Sequence, residues 1–136
     1  AYSTYLTQQS DVEITWRTKP FYEKFRKRYG ENPSMTATAY NSLLILKEAI
    51  ERAQTLDTDR VVEALEKTDF QGTGGRMVFN KEHDGVFGPG YLMNVGVQIM
   101  PGNVLHTWFP KNYKGTKELQ IPPWMLKYWK GRSDNK

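Results

Sequence analysis

Apolar and polar residues change period several times along this chain, and each change marks a predicted element. The opening residues are polar and threonine-rich, and Val12, Ile14 and Trp16 then alternate, which predicts a short strand or extended lead-in. Thr18 next predicts a helix N-cap, with Pro20 inside the first turn where its missing N–H costs nothing. Phe21, Phe25 and Tyr29 recur at every fourth position and predict an aromatic stripe that faces inward. Lys24, Arg26, Lys27 and Arg28 fill the wet face of the same helix, and Gly30 supplies the left-handed residue that ends it. A second helix opens at Pro33 and Ser34 and runs to about Gln54. Its centre, Leu43 to Leu46, is apolar on every side and predicts burial on more than one face. Asp57 predicts the next N-cap, with Leu56 and Val61 as a hydrophobic staple across it. The third helix ends near Lys67 and is expected to bury Val61, Val62 and Leu65.

The period changes again after that helix. Phe70 to Gly75 predicts a turn that needs glycine backbones. A phosphate-cradling loop would follow a strand and open a helix, whereas here a helix precedes and a strand follows, which excludes it. Alternation predicts strands over Arg76 to Asn80, Tyr91 to Ile99 and Val104 to Phe109. Lys81 to Pro89 is a turn-rich connection, and Pro101-Gly102-Asn103 predicts the tight turn between the last two strands. From Pro110 onward no period persists, apart from Trp124 to Trp129, which fits one turn of helix.

Composition narrows what this pattern can be. With 136 residues the chain is one domain by length, large enough for a real core. Its longest apolar run, Leu43 to Leu46, is far too short to cross a membrane. Cysteine is absent, which excludes disulfides, thiolate metal sites and a cysteine nucleophile. The net charge of +4 comes from the end of the chain: residues 1–110 hold 12 basic and 13 acidic side chains, whereas 111–136 hold 7 and 2. Lys111, Lys114, Lys117, Lys127, Lys130, Arg132 and Lys136 lie there among Tyr113, Trp124, Tyr128 and Trp129. That mixture is the raw material of a nucleic-acid or anionic-surface module. A phosphate-tracking surface is usually denser in charge and built on a regular element, so a solvated tail is favoured and no nucleic-acid partner is expected.

Catalytic and metal-binding sets are not evident. The two histidines are His83, in a turn beside Glu82 and Asp84, and His106, in the middle of a predicted strand. Adjacent residues of one turn seldom converge on a metal. No serine or carboxylate stands at a triad-like spacing from His106, which is expected to be a strand histidine with a satisfied hydrogen bond. Carboxylates mostly share helix faces with cations, as Glu48 does with Arg52. The expectation is a binding protein, with no catalytic residue, metal or cofactor.

The order of motifs also resembles a known family. Ala39-Tyr40-Asn41-Ser42, followed by an apolar helix ending in Glu48-Ala49-Ile50-Glu51-Arg52-Ala53, looks like the late helix of type 1 periplasmic substrate-binding proteins, of the branched-chain amino-acid class that serves ABC importers. Tyr29-Gly30-Glu31-Asn32-Pro33 is similar to that family's Tyr-Gly-x-x-Pro junction. Ala64 to Gly72, then Gly74, Arg76 to Phe79 and Asp84-Gly85, continue the likeness, as do the strand pair Tyr91 to Phe109 and Pro122-Pro123-Trp124. The likeness covers about Thr18 to Trp124.

The resemblance implies an α/β chain with a partial type 1 periplasmic-binding-protein fold: three helices, then a small antiparallel sheet and an irregular tail. It implies two parts, 1–110 as a partial lobe with hinge strands and 111–136 as a basic, aromatic tail. Family members are two to three times longer and close two lobes around a solute, so this chain would be a C-terminal fragment unable to form the cleft alone. Its implied partners are a small-molecule ligand (an amino acid or small organic acid) and an ABC permease, in the periplasm or another extracytoplasmic space. An exposed core could instead be covered by a homo-oligomer of the fragment. The start of the late helix contributes ligand contacts in the family, which places Met35, Tyr40 and Asn41 as candidates. Asn41 stands where many members have aspartate, removing a charge that would pair with a ligand amine. A ligand-sensing receptor domain of the same fold is an alternative.

Overall fold

The computed structural model describes residues 3–7, 11–33 and 36–130, with side chains for 11–33 and 36–126. Strand β1 (Ser3–Thr7) is followed by helices α1 (Thr18–Tyr29), α2 (Thr36–Ala53) and α3 (Thr58–Glu66). A short hairpin comes next, β2 (Phe70–Gly72) and β3 (Gly75–Met77). Strands β4 (Val95–Met100) and β5 (Val104–Phe109) follow, then helix α4 (Pro123–Lys130). The main sheet is antiparallel in the order β1-β4-β5, so the first strand pairs across almost the whole chain.

Several local rules explain these boundaries. Gly30 ends α1 at φ 76° while its N–H bonds Arg26 C=O, the expected left-handed stop. Asp57 caps α3 by accepting from Arg60 N–H at 3.1 Å. Asn103 sits at φ 57° in the turn that leads into β5, whose bounds match the alternating run. Strand β4 is buried on both faces: Val95 and Val97 alternate with Gly96 and Gln98. The Gln98 amide donates to Gln120 C=O at 2.8 Å and accepts from Gln120 N–H at 3.1 Å, so the tail lies along the sheet. The outer edge of β5 is also covered. Asp11 accepts from Thr107 N–H at 3.1 Å, and Lys117 N–H donates to Thr107 C=O at 2.8 Å.

Other expectations are corrected. Val12, Ile14 and Trp16 form no strand, because residues 11–17 bend and turn. Thr15 is the cause: its N–H bonds Thr18 Oγ1, its C=O accepts from Thr18 N–H, and its hydroxyl accepts from Arg17 N–H. The N-cap of α1 is accordingly Arg17, without a side-chain cap, since the Thr18 hydroxyl is used elsewhere. Leu56 is 79% exposed and staples nothing, and Val62 lies open on α3. The glycine turn proves to be the β2-β3 hairpin, so the expected strand at Arg76 to Asn80 begins one residue early and ends at Met77. The Tyr91 to Ile99 strand starts only at Val95. The tail carries two turns of helix in α4.

The largest correction concerns the apolar faces of α1 and α2. Helix α2 buries one stripe, Ala37, Asn41, Ile45 and Ala49. Leu43 is 70% exposed and Leu46 42% exposed, so the apolar centre of α2 is open on its other side. Tyr29 is exposed as well, and the aromatic stripe of α1 lies along this same open surface. No described element covers it.

Gly75 allows the hairpin to meet the chain near Tyr91: a Cβ there would lie 2.2 Å from the Tyr91 carbonyl oxygen, and its φ is 130°. Gly88 shares that φ range at 131° but has open space around it. Gly88→Ala should therefore cost only backbone strain, about 1–2 kcal/mol. Gly75→Ala should cost at least twice that, because backbone must also move. Urea midpoints of the two variants check the order.

Candidate functional site

Tyr40 and Asn41 are neighbours on α2, and their side chains leave it on different faces. Asn41 is only 2% exposed. Its Nδ2 donates to Thr73 Oγ1 at 2.9 Å, and its Oδ1 accepts from Thr73 N–H at 3.1 Å. The hairpin tip is gripped from α1 as well. Thr18 Oγ1 donates to Thr73 C=O at 2.7 Å, and Thr15 Oγ1 donates to Gly72 C=O at 2.6 Å. Glycine at 72 permits this approach, since a Cβ would stand 3.1 Å from Asn41 Nδ2. Both polar atoms of the Asn41 amide are thus engaged inside the protein. Nothing in the sequence pairs these residues across 32 positions; the only local signal was the glycine-rich turn around Thr73.

Tyr40 faces outward. It is 37% exposed, and its ring stacks on Phe21 with centroids 4.7 Å apart and planes 29° apart. Phe25 and Tyr29 continue the stripe along α1, with centroids 4.5 Å apart. Two adjoining depressions, of about 470 and 750 Å³, share Phe21, Lys24, Lys27 and Tyr40 in their walls. The smaller also includes Trp16, Arg17 and Glu23; the larger reaches Phe25, Tyr29 and Leu43. Such a surface offers aromatic walls with a cationic border, suited to binding a small molecule. Met35 lies outside the described residues. Of the three sequence candidates, Tyr40 is on this face and Asn41 is behind it.

The remaining chemistry-bearing residues are dispersed. His83 Nε2 is 3.0 Å from Glu66 Oε1 on the surface, and no group of three His, Asp or Glu side chains gathers for a metal among the described residues. His106 Nδ1 is buried without a hydrogen-bond partner, which corrects the expectation of a satisfied strand histidine. Arg76 donates two 2.6 Å hydrogen bonds to Asp69 beside the hairpin and holds that carboxyl below its usual range. In the tail, Lys111 pairs with Glu118 at 3.2 Å and Lys117 with Asp11 at 3.4 Å, so part of its charge is matched internally. The side chains of Lys127 and Lys130, with Arg132 and Lys136, lie outside the described residues. No described helix is long and apolar enough to cross a membrane.

Comparison with known proteins places the chain in a family. The family described as periplasmic binding protein matches residues 3–98. The chain belongs to the periplasmic binding protein family. Solved structures agree with that assignment at the level of fold. A leucine binding protein LivK from Thermotoga maritima is 23% identical with a TM-score of 0.62, covering 76% of this chain and 29% of its own. A putative branched-chain amino acid ABC transporter protein from Silicibacter pomeroyi is 21% identical with a TM-score of 0.67, covering 90% and 35%. LivJ from Streptococcus pneumoniae, solved in complex with isoleucine, is 22% identical with a TM-score of 0.57, covering 76% and 29%. No curated protein matches the chain. The chain therefore has a partial periplasmic-binding-protein fold of α/β class and spans about a third of the length of these relatives.

The grip on Thr73 can be weighed directly. Asn41→Ala leaves a buried N–H and hydroxyl without their partner and should lower stability by about 2–3 kcal/mol. Asn41→Asp keeps acceptors for both Thr73 groups and should lose less. Denaturation midpoints at neutral pH check the ranking.

Proposed function

We propose that this chain is the C-terminal part of the solute-binding component of an ABC importer of the branched-chain amino-acid-like class, working in the periplasm or an equivalent space. The observation that carries this reading is the family match over residues 3–98 in a chain about a third as long as its solved relatives. The open aromatic face of α1 and α2 supports it. Large apolar side chains left uncovered on a folded unit call for another surface, here the remainder of the longer protein. The division into 1–110, partial lobe and hinge strands, and 111–136, basic tail, belongs to the same proposal.

In this account Tyr40 belongs to the ligand-facing end of α2, and Met35, which precedes that helix in the sequence, is a further ligand-contact candidate. Asn41 acts one step back by fixing the hairpin tip against that end. Binding closes one lobe on another, because the ligand touches both lobes only when they are shut. A single wall gains none of that second set of contacts. Neither catalysis nor a cofactor is part of the proposed role, and the permease is its macromolecular partner.

Calorimetry of the 136-residue chain with leucine, isoleucine and aromatic amino acids should show no micromolar binding. The longer gene product should bind one of them in the micromolar range, and Tyr40→Ala in that product should weaken it about tenfold, near 1.4 kcal/mol. Micromolar binding by the short chain, or a gene product no longer than it, would overturn the proposal.

A further inference from the structure

Arg17 is a half-buried cation with no counter-charge among the described residues. Among the described residues no carboxylate lies within ion-pair distance of it, and its Nε is shut off from solvent with no acceptor. Instead its guanidinium lies 4.2 Å from the Trp16 ring centroid and 5.1 Å from that of Phe70. Aromatic rings engage the face of this planar cation and fix its plane, whereas its N–H donors radiate in the plane and still need acceptors. Partial burial adds to that demand, because water can supply only some of the missing bonds.

The surroundings select the kind of acceptor. Arg17 borders the depression of about 470 Å³, together with Trp16, Phe21 and Tyr40. Lys24 and Lys27 also border it, against a single acid, Glu23, so its walls carry an excess of two positive charges. A volume near 500 Å³ suits a small organic molecule. With Nε shut off, the two terminal nitrogens of the Arg17 guanidinium are the donors within a solute's reach. A planar carboxylate matches such a pair in two parallel hydrogen bonds, and an aromatic or aliphatic remainder matches the stacked Phe21 and Tyr40 rings.

We propose that Arg17 anchors the carboxylate of a small aromatic or aliphatic acid in this depression, with Phe21 and Tyr40 receiving its apolar part. The proposal rests on the reading that the Tyr40 face receives a solute, and it names the class: an organic acid, whose ammonium group, if present, has no partner here. Positive walls select against cations and leave neutral analogues with the apolar contacts alone.

Two-dimensional NMR titration of the 136-residue chain tests this with phenylacetate, 2-phenylethanol and phenethylamine as probes. Phenylacetate should bind with a Kd on the order of 1 mM and move the Trp16 indole N–H and the α1 amides near Lys24. The alcohol should bind at least fivefold more weakly, and the amine should cause no saturable shift. Arg17→Gln should weaken phenylacetate at least tenfold while leaving the alcohol unchanged, and Arg17→Lys should retain part of the binding. If Arg17→Gln fails to fold, the order of the three probes on the unaltered chain decides. Equal shifts by all three probes, or unchanged phenylacetate binding in a folded Arg17→Gln, would overturn the proposal. Those failures leave solute binding by the longer protein intact. Conversely, phenylacetate bound at Arg17 in a protein that never binds a transported solute would retain the anion site and remove the importer role.

Discussion

The grip of Asn41 on Thr73 is the contact on which the helical half depends. It joins α2 to a hairpin that lies beyond α3, and the Thr18 and Thr15 hydroxyls join the same hairpin tip to the start of α1. The tip is thus bonded from two helices at once. Since buried amides and carbonyls without partners are costly, this arrangement holds α1 and α2 in one register. That register stacks Phe21 on Tyr40 and turns both toward the open side. The polar cluster behind the face therefore sets the geometry of the aromatic surface in front of it.

Much of the fold was legible because local rules and tertiary context agreed. Gly30, Asp57 and the Pro101-Gly102-Asn103 turn act as their chemistry dictates, and the end of α1 and the starts of α3 and β5 follow. Where tertiary bonds compete with local rules, the local rules lose. Thr18 has the right residue type for a cap, but its hydroxyl donates to Thr73 C=O 55 residues away. Val12 to Trp16 alternate as a strand would, yet the Thr15 side chain folds that backbone into a turn. Periodicity reports which residues are apolar and how they are spaced, and it is silent on whether anything is present to cover them. Leu43 and Leu46 read as buried for that reason and stand open.

The candidate site was legible in part for a related reason. Tyr40 was found through the family's motif order and does lie on the aromatic surface. The motif could not indicate that its neighbour Asn41 turns to the buried side, because that follows from the helical turn and from Thr73. Arg17 carried no signal at all in the sequence. Its interest comes from the lack of a counter-charge among the described residues, and from the Trp16 and Phe70 rings that meet it from adjacent and distant parts of the chain.

Hydrogen exchange of the Thr73 amide tests the central claim most directly, because that N–H is the one Asn41 Oδ1 accepts. It lies in a hairpin of two three-residue strands, which alone would give little protection. The account requires the Thr73 amide to exchange as slowly as the amides of β4, and to lose that protection selectively in a folded Asn41→Ala chain. An amide that exchanges as fast as the exposed loop around His83, with Asn41 intact, would contradict it.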